Sequence, residues 1–534
     1  MELIVFIKIL ISLSWPLSVY YSFLFVKKTL IAENKKTIML LAATALFMLA
    51  CNFIPAIRSG YDNNHDFQII SSVFFPNATI FKEISPIFIK RAVDIISNSS
   101  LYALVLVNRV LPVFSLMLFF AVLRRCGTGI TASFAGTAFM FLNFHVFVNS
   151  SSFGTASVIV FSLMAAFSAY VSCCKKEKIN VSDLIWIFAS SIIVITARVE
   201  HTPVLFLLGL ITATIQISKN GKTLKKPVFL TAILAGTLLI TVCFTHQLFS
   251  YQKMTSNLCK PERPADTFQM QFIKENFSIM LSKSNEFPFP EKRSRATKTD
   301  FIILYLALLP ILPEIRKLRF YYIASYSIFI FYNIFFVWQD TFPMQFARHR
   351  IVMMIPFAAM IAFALQEISD LMPKSSAGRL IKRQGKMAIA SLCFFYGIVN
   401  AITAKSLNIY LMNNDREWEF LLKTQPKIQF TYKAESSLFK QNRRGIIKLY
   451  FESSKNRNAQ SIYYISHDDI ALEEENSYAD RLFEKTKKLK PLEEYFYDER
   501  LLNAEKSLAN NTYAPIREAL KEKRPAKAGF YYLP

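Results

Sequence analysis

Asp62, His65 and Asp66 stand within five positions of one another in "SGYDNNHDFQIISS", directly after an apolar run. A carboxylate at such a place can take the proton from a hydroxyl group that is to act as a nucleophile. Two further clusters follow: Arg198, Glu200 and His201 in "ITARVEHTPV", and Arg348, His349 and Arg350 in "FARHRIVMMIPF". Arginines so grouped can grip a phosphate through paired hydrogen bonds and stabilise it as it leaves. Arg109 lies inside the apolar run "LYALVLVNRVLPVF". Base and anion clamp together suit a displacement in which a hydroxyl attacks carbon and a phosphate departs. Each group also has a plainer reading. Asp62 and Asp66 can flank a solvated turn through Asn63 and Asn64. Arg198 and Glu200 can be an interfacial ion pair of little energetic weight. Arg348 and Arg350 can snorkel, and Arg109 can serve a neighbouring helix carbonyl.

The elements that would position these residues follow from composition. The chain has 534 residues, is 53% hydrophobic, contains 50 Phe and has a mean hydropathy of +0.30. Apolar runs of roughly 17–25 residues recur, the length that crosses ~30 Å of hydrocarbon. They predict a polytopic α-helical membrane protein with about twelve transmembrane helices, at 3–26, 37–57, 101–123, 129–149, 153–173, 181–199, 202–218, 227–248, 300–315, 320–338, 351–368 and 386–404. Alternate loops carry the basic clusters "KKTLIAENKK", "RRCGTG", "KKEK", "KNGKTLKK", "RKLR" and "KSSAGRLIKRQGK", which marks them as cytoplasmic. The N-terminus and everything after Lys405 then lie outside. The net charge of +24 is thus mainly topological, and nucleic acid is not expected as a partner.

The outer segments differ in kind from the short basic ones. They are predicted at 58–100, 249–299 and 339–350, with residues 1–404 forming the membrane domain and 405–534 a soluble extracytoplasmic domain. In the first loop, "FKEISPIFIKRAVDII" spaces Ile84, Phe88, Arg91 and Ile95 for a helix with one apolar side and Pro86 in its first turn, either lying in the interface plane or packed against the other loops. The tail mixes strand-like runs ("GIIKLYF", "SIYYIS") with a charged stretch of helical character ("DRLFEKTKKLKPLEEYF"), which predicts a small α/β domain. All six histidines, His65, His145, His201, His246, His349 and His467, fall at outer span ends or outside. The seven cysteines show neither a disulfide framework nor metal-ligand spacing.

A sugar carried on a lipid phosphate would present its anomeric carbon and its phosphate at this outer level. The carboxylate-bearing first outer loop ("YDNNHDF"), an R-x-E at an outer helix end ("ARVEH") and an R-x-R…P entering a late span ("RHRIVMMIPF") together resemble the GT-C superfamily over roughly residues 1–404. Those are polytopic glycosyltransferases that use polyprenyl- or dolichyl-phosphate sugars. The resemblance implies a lipid-linked sugar donor, a lipid or glycan acceptor, transfer of a hexose or pentose, and catalysis by a first-loop aspartate, Asp66 or Asp62. It implies either no cofactor or a divalent cation, Mg²⁺ or Mn²⁺. Here an extra helix and a short basic loop precede the span that leads into the first outer loop, so the choice between the two aspartates stays open. The alternative from a different class is a transporter or flippase of a lipid-linked glycan, which would put charges and broken helices near the midplane. A bacterial inner membrane with the active face outside is the expected setting. If the topology is right, alkaline phosphatase fused after Pro534 is active and green fluorescent protein fused there is dark; the reverse pattern inverts the orientation.

Overall fold

The computed structural model describes residues 2–53, 84–96, 101–150, 155–176, 179–198, 201–220, 343–371 and 376–410, a few positions between 321 and 328, and five strands beyond 426. Eleven helices occur among the described residues: α1 Glu2–Ile31, α2 Lys35–Phe53, α3 Ile84–Ile96, α4 Leu101–Cys126, α5 Ile130–Phe141, α6 Phe144–Ser150, α7 Ala156–Lys175, α8 Val181–Ala197, α9 Thr202–Asn220, α10 Pro343–Leu371 and α11 Ser376–Tyr410. Four contain stretches long and apolar enough to cross a membrane: Ile9–Ile31, Lys35–Phe53, Val105–Cys126 and Ala156–Lys175. The protein is an α-helical membrane protein. The sequence-predicted spans 227–248 and 300–315, and most of 320–338, lie outside the described residues.

Side-chain contacts fix the direction of each helix. Arg124 at the end of α4 is ion-paired to Glu33 at 2.5 Å, just before α2, while Asn52 near the end of α2 bonds to the Arg109 carbonyl. Helices α4 and α7 run alongside each other, with Phe114 stacked on Phe161 at 5.6 Å. Helix α8 returns from Asp183, bonded to Lys176 at 2.5 Å, towards Ala197. Its start is held by the Asp183 carboxylate, which accepts the Asn180 backbone N–H at 3.0 Å. Helix α10 runs antiparallel to α5, because Gln366 accepts from the Gly129 N–H and Gly136 meets Ala358 and Ala362. Helix α11 runs parallel to α5, with Phe394 near Phe134 and Asn400 on the Leu142 carbonyl.

Several sequence expectations change. The run 129–149 is not one span: it breaks at Leu142–Asn143 into α5 and α6. The helix in the first outer loop exists, with Pro86 in its first turn, but its protein-facing side is Ser85, Pro86, Ile87 and Lys90. Ile95, on the side that the spacing marks as apolar, is 80% exposed, and the Trp15 indole N–H donates to the Ser85 hydroxyl and so sets the helix's rotation. The basic segment after Pro373 is not all loop, since α11 begins at Ser376. In the tail, "GIIKLYF" and "SIYYIS" supply strands β2 (Ile447–Glu452) and β3 (Gln460–Ile465). The second part of the stretch read as helical is instead strand β4 (Lys490–Phe496). With β1 (Lys427–Phe430) and β5 (Lys527–Tyr532) they form an antiparallel sheet of order β1-β2-β3-β5-β4.

Gly136 sits at a close crossing of α5 and α10: a β-carbon there would stand 2.7 Å from the Ala358 carbonyl oxygen and 2.8 Å from the Ala362 β-carbon. One of those contacts is backbone and cannot swing away. Gly136→Val should therefore cost about 1–3 kcal/mol, seen as a lower melting temperature in detergent; an unchanged melting temperature would mean that α5 and α10 are not packed this closely.

Candidate functional site

Arg109 is 5% exposed, eight residues inside α4 and about 12 Å from its start at 1.5 Å per residue. What holds it there begins with Pro112, which stands inside the same helix. Proline has no N–H, so the carbonyl four residues earlier, that of Asn108, loses its helical donor. The Ser157 hydroxyl of α7 donates to that carbonyl at 3.2 Å. The next carbonyl, that of Arg109, accepts from the Asn52 side-chain amide of α2 at 2.8 Å. Two side chains from two other helices thus pin the turn that carries Arg109. Its guanidinium lies over the Phe53 ring, 4.5 Å from the centroid, an attraction that lowers the cost of keeping the charge in apolar surroundings.

A second buried cation lies on the adjacent helix. Lys90 of α3 is fully buried, and α3 packs against both α4 and α8. The sequence marks its helix but not Lys90 itself, which sits among cations in "FIKRAV" and looks solvated there. Its spacing of three from Ile87 and four from Pro86 places it on the buried side of that helix. Asn52, Asn108, Asn149, Ser150, Thr155 and Ser157, at the same end of the bundle, are also buried. A charged lysine and arginine in such a polar, water-poor region favour an anion strongly.

The residues singled out in the sequence fall as follows. Arg198 ends α8 in extended conformation and is half-buried. Its carbonyl accepts the backbone N–H of His201 at 3.2 Å, and this turn launches α9 with His201 fully buried. Arg348, His349 and Arg350 lie in the first turns of α10; sixteen residues separate Arg350 from Gln366, about 24 Å along the helix. Gln366 marks the opposite end of the bundle, so Arg348–Arg350 belong to the end that holds Arg109, Lys90 and Arg198. Asp62, Asp66 and Glu200 lie outside the described residues. Among the described residues, no group of three or more His, Cys, Asp or Glu is placed to hold a metal ion.

The other end of the bundle carries Lys27, Lys28, Lys35, Lys36, Arg124, Arg125, Lys175 and Lys176 at helix ends. Several are engaged in local structure there: Arg124 with Glu33, Lys176 with Asp183, and Lys175 over the Tyr321 ring at 5.1 Å. The two ends are therefore chemically distinct.

Comparison with protein-family models gives no match, and comparison with curated proteins gives none. Among solved structures the chain is similar to that of ArnT from Cupriavidus metallidurans bound to undecaprenyl phosphate, with 14% identity over 73% of each chain and a TM-score of 0.40. That TM-score is too low to establish a common fold or a common reaction.

The role of Pro112 gives a sharp test. Ser157→Ala leaves the Asn108 carbonyl without its donor and should cost about 1–2 kcal/mol. In a Pro112→Ala background the restored N–H can serve the same carbonyl, so the Ser157→Ala penalty should largely disappear. Equal penalties in both backgrounds, read from melting in detergent, would sink this account.

Proposed function

We propose that the protein is a glycosyltransferase of the GT-C kind, moving a sugar from a polyprenyl-phosphate donor to a lipid or glycan acceptor at the outer membrane face. The observation that carries this reading is the gathering at one bundle end of cations that topology does not require. Two of them, Lys90 and Arg109, are buried. Arg198 and Arg348–Arg350 stand at the same end, and the first outer loop, with Asp62 and Asp66, leaves from α2 there.

The chemistry is a single displacement. Asp66, or Asp62, accepts the proton of the acceptor hydroxyl as its oxygen bonds to the anomeric carbon. The bond from that carbon to the phosphate oxygen breaks with inversion, and the lipid phosphate keeps the electron pair. Arg109 and Lys90, with Arg198, Arg348 and Arg350, neutralise the charge that grows on the phosphate. Glu200, His201 and His349 position these groups. A divalent cation held by the aspartates would supply further charge at the phosphate; the displacement balances without it. The membrane is the bacterial inner membrane in this reading, and residues 405–534 lie outside, where they select or cover the acceptor.

The helix break at Leu142–Asn143 favours a transporter as the second reading, because transporters build sites from interrupted helices. Here the break is bridged within the protein. Asn143 donates to the Tyr396 hydroxyl at 2.7 Å, and Asn400 donates to the Leu142 carbonyl at 3.1 Å.

Mass spectrometry of surface glycans and glycolipids separates the two. Strains would lack the gene, or carry it intact, as Asp62→Asn, as Asp66→Asn or as Arg109→Leu, at matched membrane levels. The enzyme reading expects deletion and one aspartate variant to remove one sugar's mass from a glycan, with turnover falling by at least ~10²-fold for the aspartate variant and for Arg109→Leu. Loss or trapping of a whole glycan on deletion, with both aspartate variants behaving as intact, would establish the transporter instead.

A further inference from the structure

The reaction leaves one charged feature unused. Helix α11 begins at Ser376, eleven residues before its apolar stretch Met387–Ile402 starts, and those first turns carry Arg379, Lys382, Arg383 and Lys386. Their spacing of i, i+3, i+4 and i+7 puts all four positions on one helical face. Helix α11 contains no Asp or Glu, so nothing within it offsets them.

Helical register then says where this face points along the bundle. Steps of eleven residues, about three turns, lead from 379 through Ala390 to Ala401, and from 386 to Gly397. Ala401 is 1% exposed. A β-carbon at Gly397 would lie 2.9 Å from the Phe47 ring and 3.1 Å from Leu142. The basic positions thus continue the face by which α11 packs on α2 and α5. The opposite face carries Leu392, Phe395 and Ile402, all exposed as suits hydrocarbon. Helix α2 runs parallel to α11, and eleven residues before Phe47 is Lys36. Lys35 and Lys36 are both exposed and so stand at the level of Lys386. The nearby acids of α10 are engaged or covered: Asp370 accepts from Gln366 at 2.9 Å, and Glu367 is buried.

We propose that the basic starts of α2 and α11 together bind anionic phospholipid headgroups of the leaflet at this end of the bundle. Six positions, Lys35, Lys36, Arg379, Lys382, Arg383 and Lys386, lie at or within about 12 Å along the helix before the start of the apolar stretch of α11, the layer in which phosphodiesters sit. Arginine supplies paired hydrogen bonds to such a group and lysine a point charge. A soluble acidic partner would have no need of cations placed at the hydrocarbon boundary.

The test uses the full chain, reconstituted in vesicles of phosphatidylcholine with about one third phosphatidylglycerol, re-extracted in mild detergent, and analysed for retained lipid by mass spectrometry. One variant removes the stripe: Arg379→Gln, Lys382→Gln, Arg383→Gln and Lys386→Gln. A second keeps net charge, and with it the topology signal, but rotates the cations about half a turn: Lys382→Gln, Arg383→Gln and Lys386→Gln with Ala377→Lys, Ile381→Lys and Gln384→Lys. The unmodified protein should retain phosphatidylglycerol in preference to phosphatidylcholine, and both variants should lower that preference by about tenfold. Retention by the rotated variant equal to the unmodified protein's would reduce the effect to bulk charge and overturn the proposal. So would the absence of any headgroup preference in the unmodified protein.

Discussion

Inside hydrocarbon no water is at hand for a backbone carbonyl that lacks its helical partner, and the bundle around Arg109 is arranged by that constraint. Pro112 removes one N–H from α4 and so opens the turn at Asn108 and Arg109. Ser157 and Asn52 close it from α7 and α2. The consequence is more than a repaired helix. Three helices are tied at one level, and the tie holds the turn from which a buried guanidinium reaches across to Phe53. Without Pro112 the Asn108 carbonyl would have its own helical donor, and Ser157 would no longer be needed to satisfy it.

The same solution is used at the α5–α6 break. Leu142 ends α5, and its carbonyl is taken by Asn400, while Asn143 reaches Tyr396 on the same helix. Helix α11, far along the chain, thereby becomes part of the wall beside α5. Gly397 permits that approach, as Gly136 permits the approach of α10 from the other side. Small residues and amide side chains set how closely these helices approach, as is general where lipid removes the hydrophobic drive between helices, and aromatic pairs such as Phe139 with Phe357 and Tyr396 fill the space beside them.

How much of this could be read from the sequence varies element by element. Helices α2, α4, α7 and α8 end within a few residues of where their apolar runs end, because crossing hydrocarbon demands both length and apolarity. Pro86 marks the first turn of α3, but the rotation of that helix depends on a bond between Trp15 and Ser85, seventy positions apart. The run 129–149 is mostly apolar, and Asn143 and His145 beside its break do not by themselves announce it, because the partners that stabilise the break come from α11. Arg109 stands out in the sequence because a charge in an apolar run is unusual. Lys90 does not, because one lysine among other cations looks solvated until the neighbouring helices cover it.

The sequence by itself determined that the chain is a helical membrane protein, which apolar runs carry basic clusters, and which polar residues topology leaves unexplained. Those are properties of composition and of local spacing, and hydrocarbon acts on each segment separately. The tertiary structure decided what requires two segments at once: that Lys90 and Arg109 are both buried on adjacent helices, that Ser157 serves the carbonyl opened by Pro112 while Asn52 holds the next one, and that α11 packs on α2 where Gly397 meets Phe47. Burial and hydrogen-bond satisfaction depend on what lies opposite, and the identity of the opposite helix is not written in either partner's own residues.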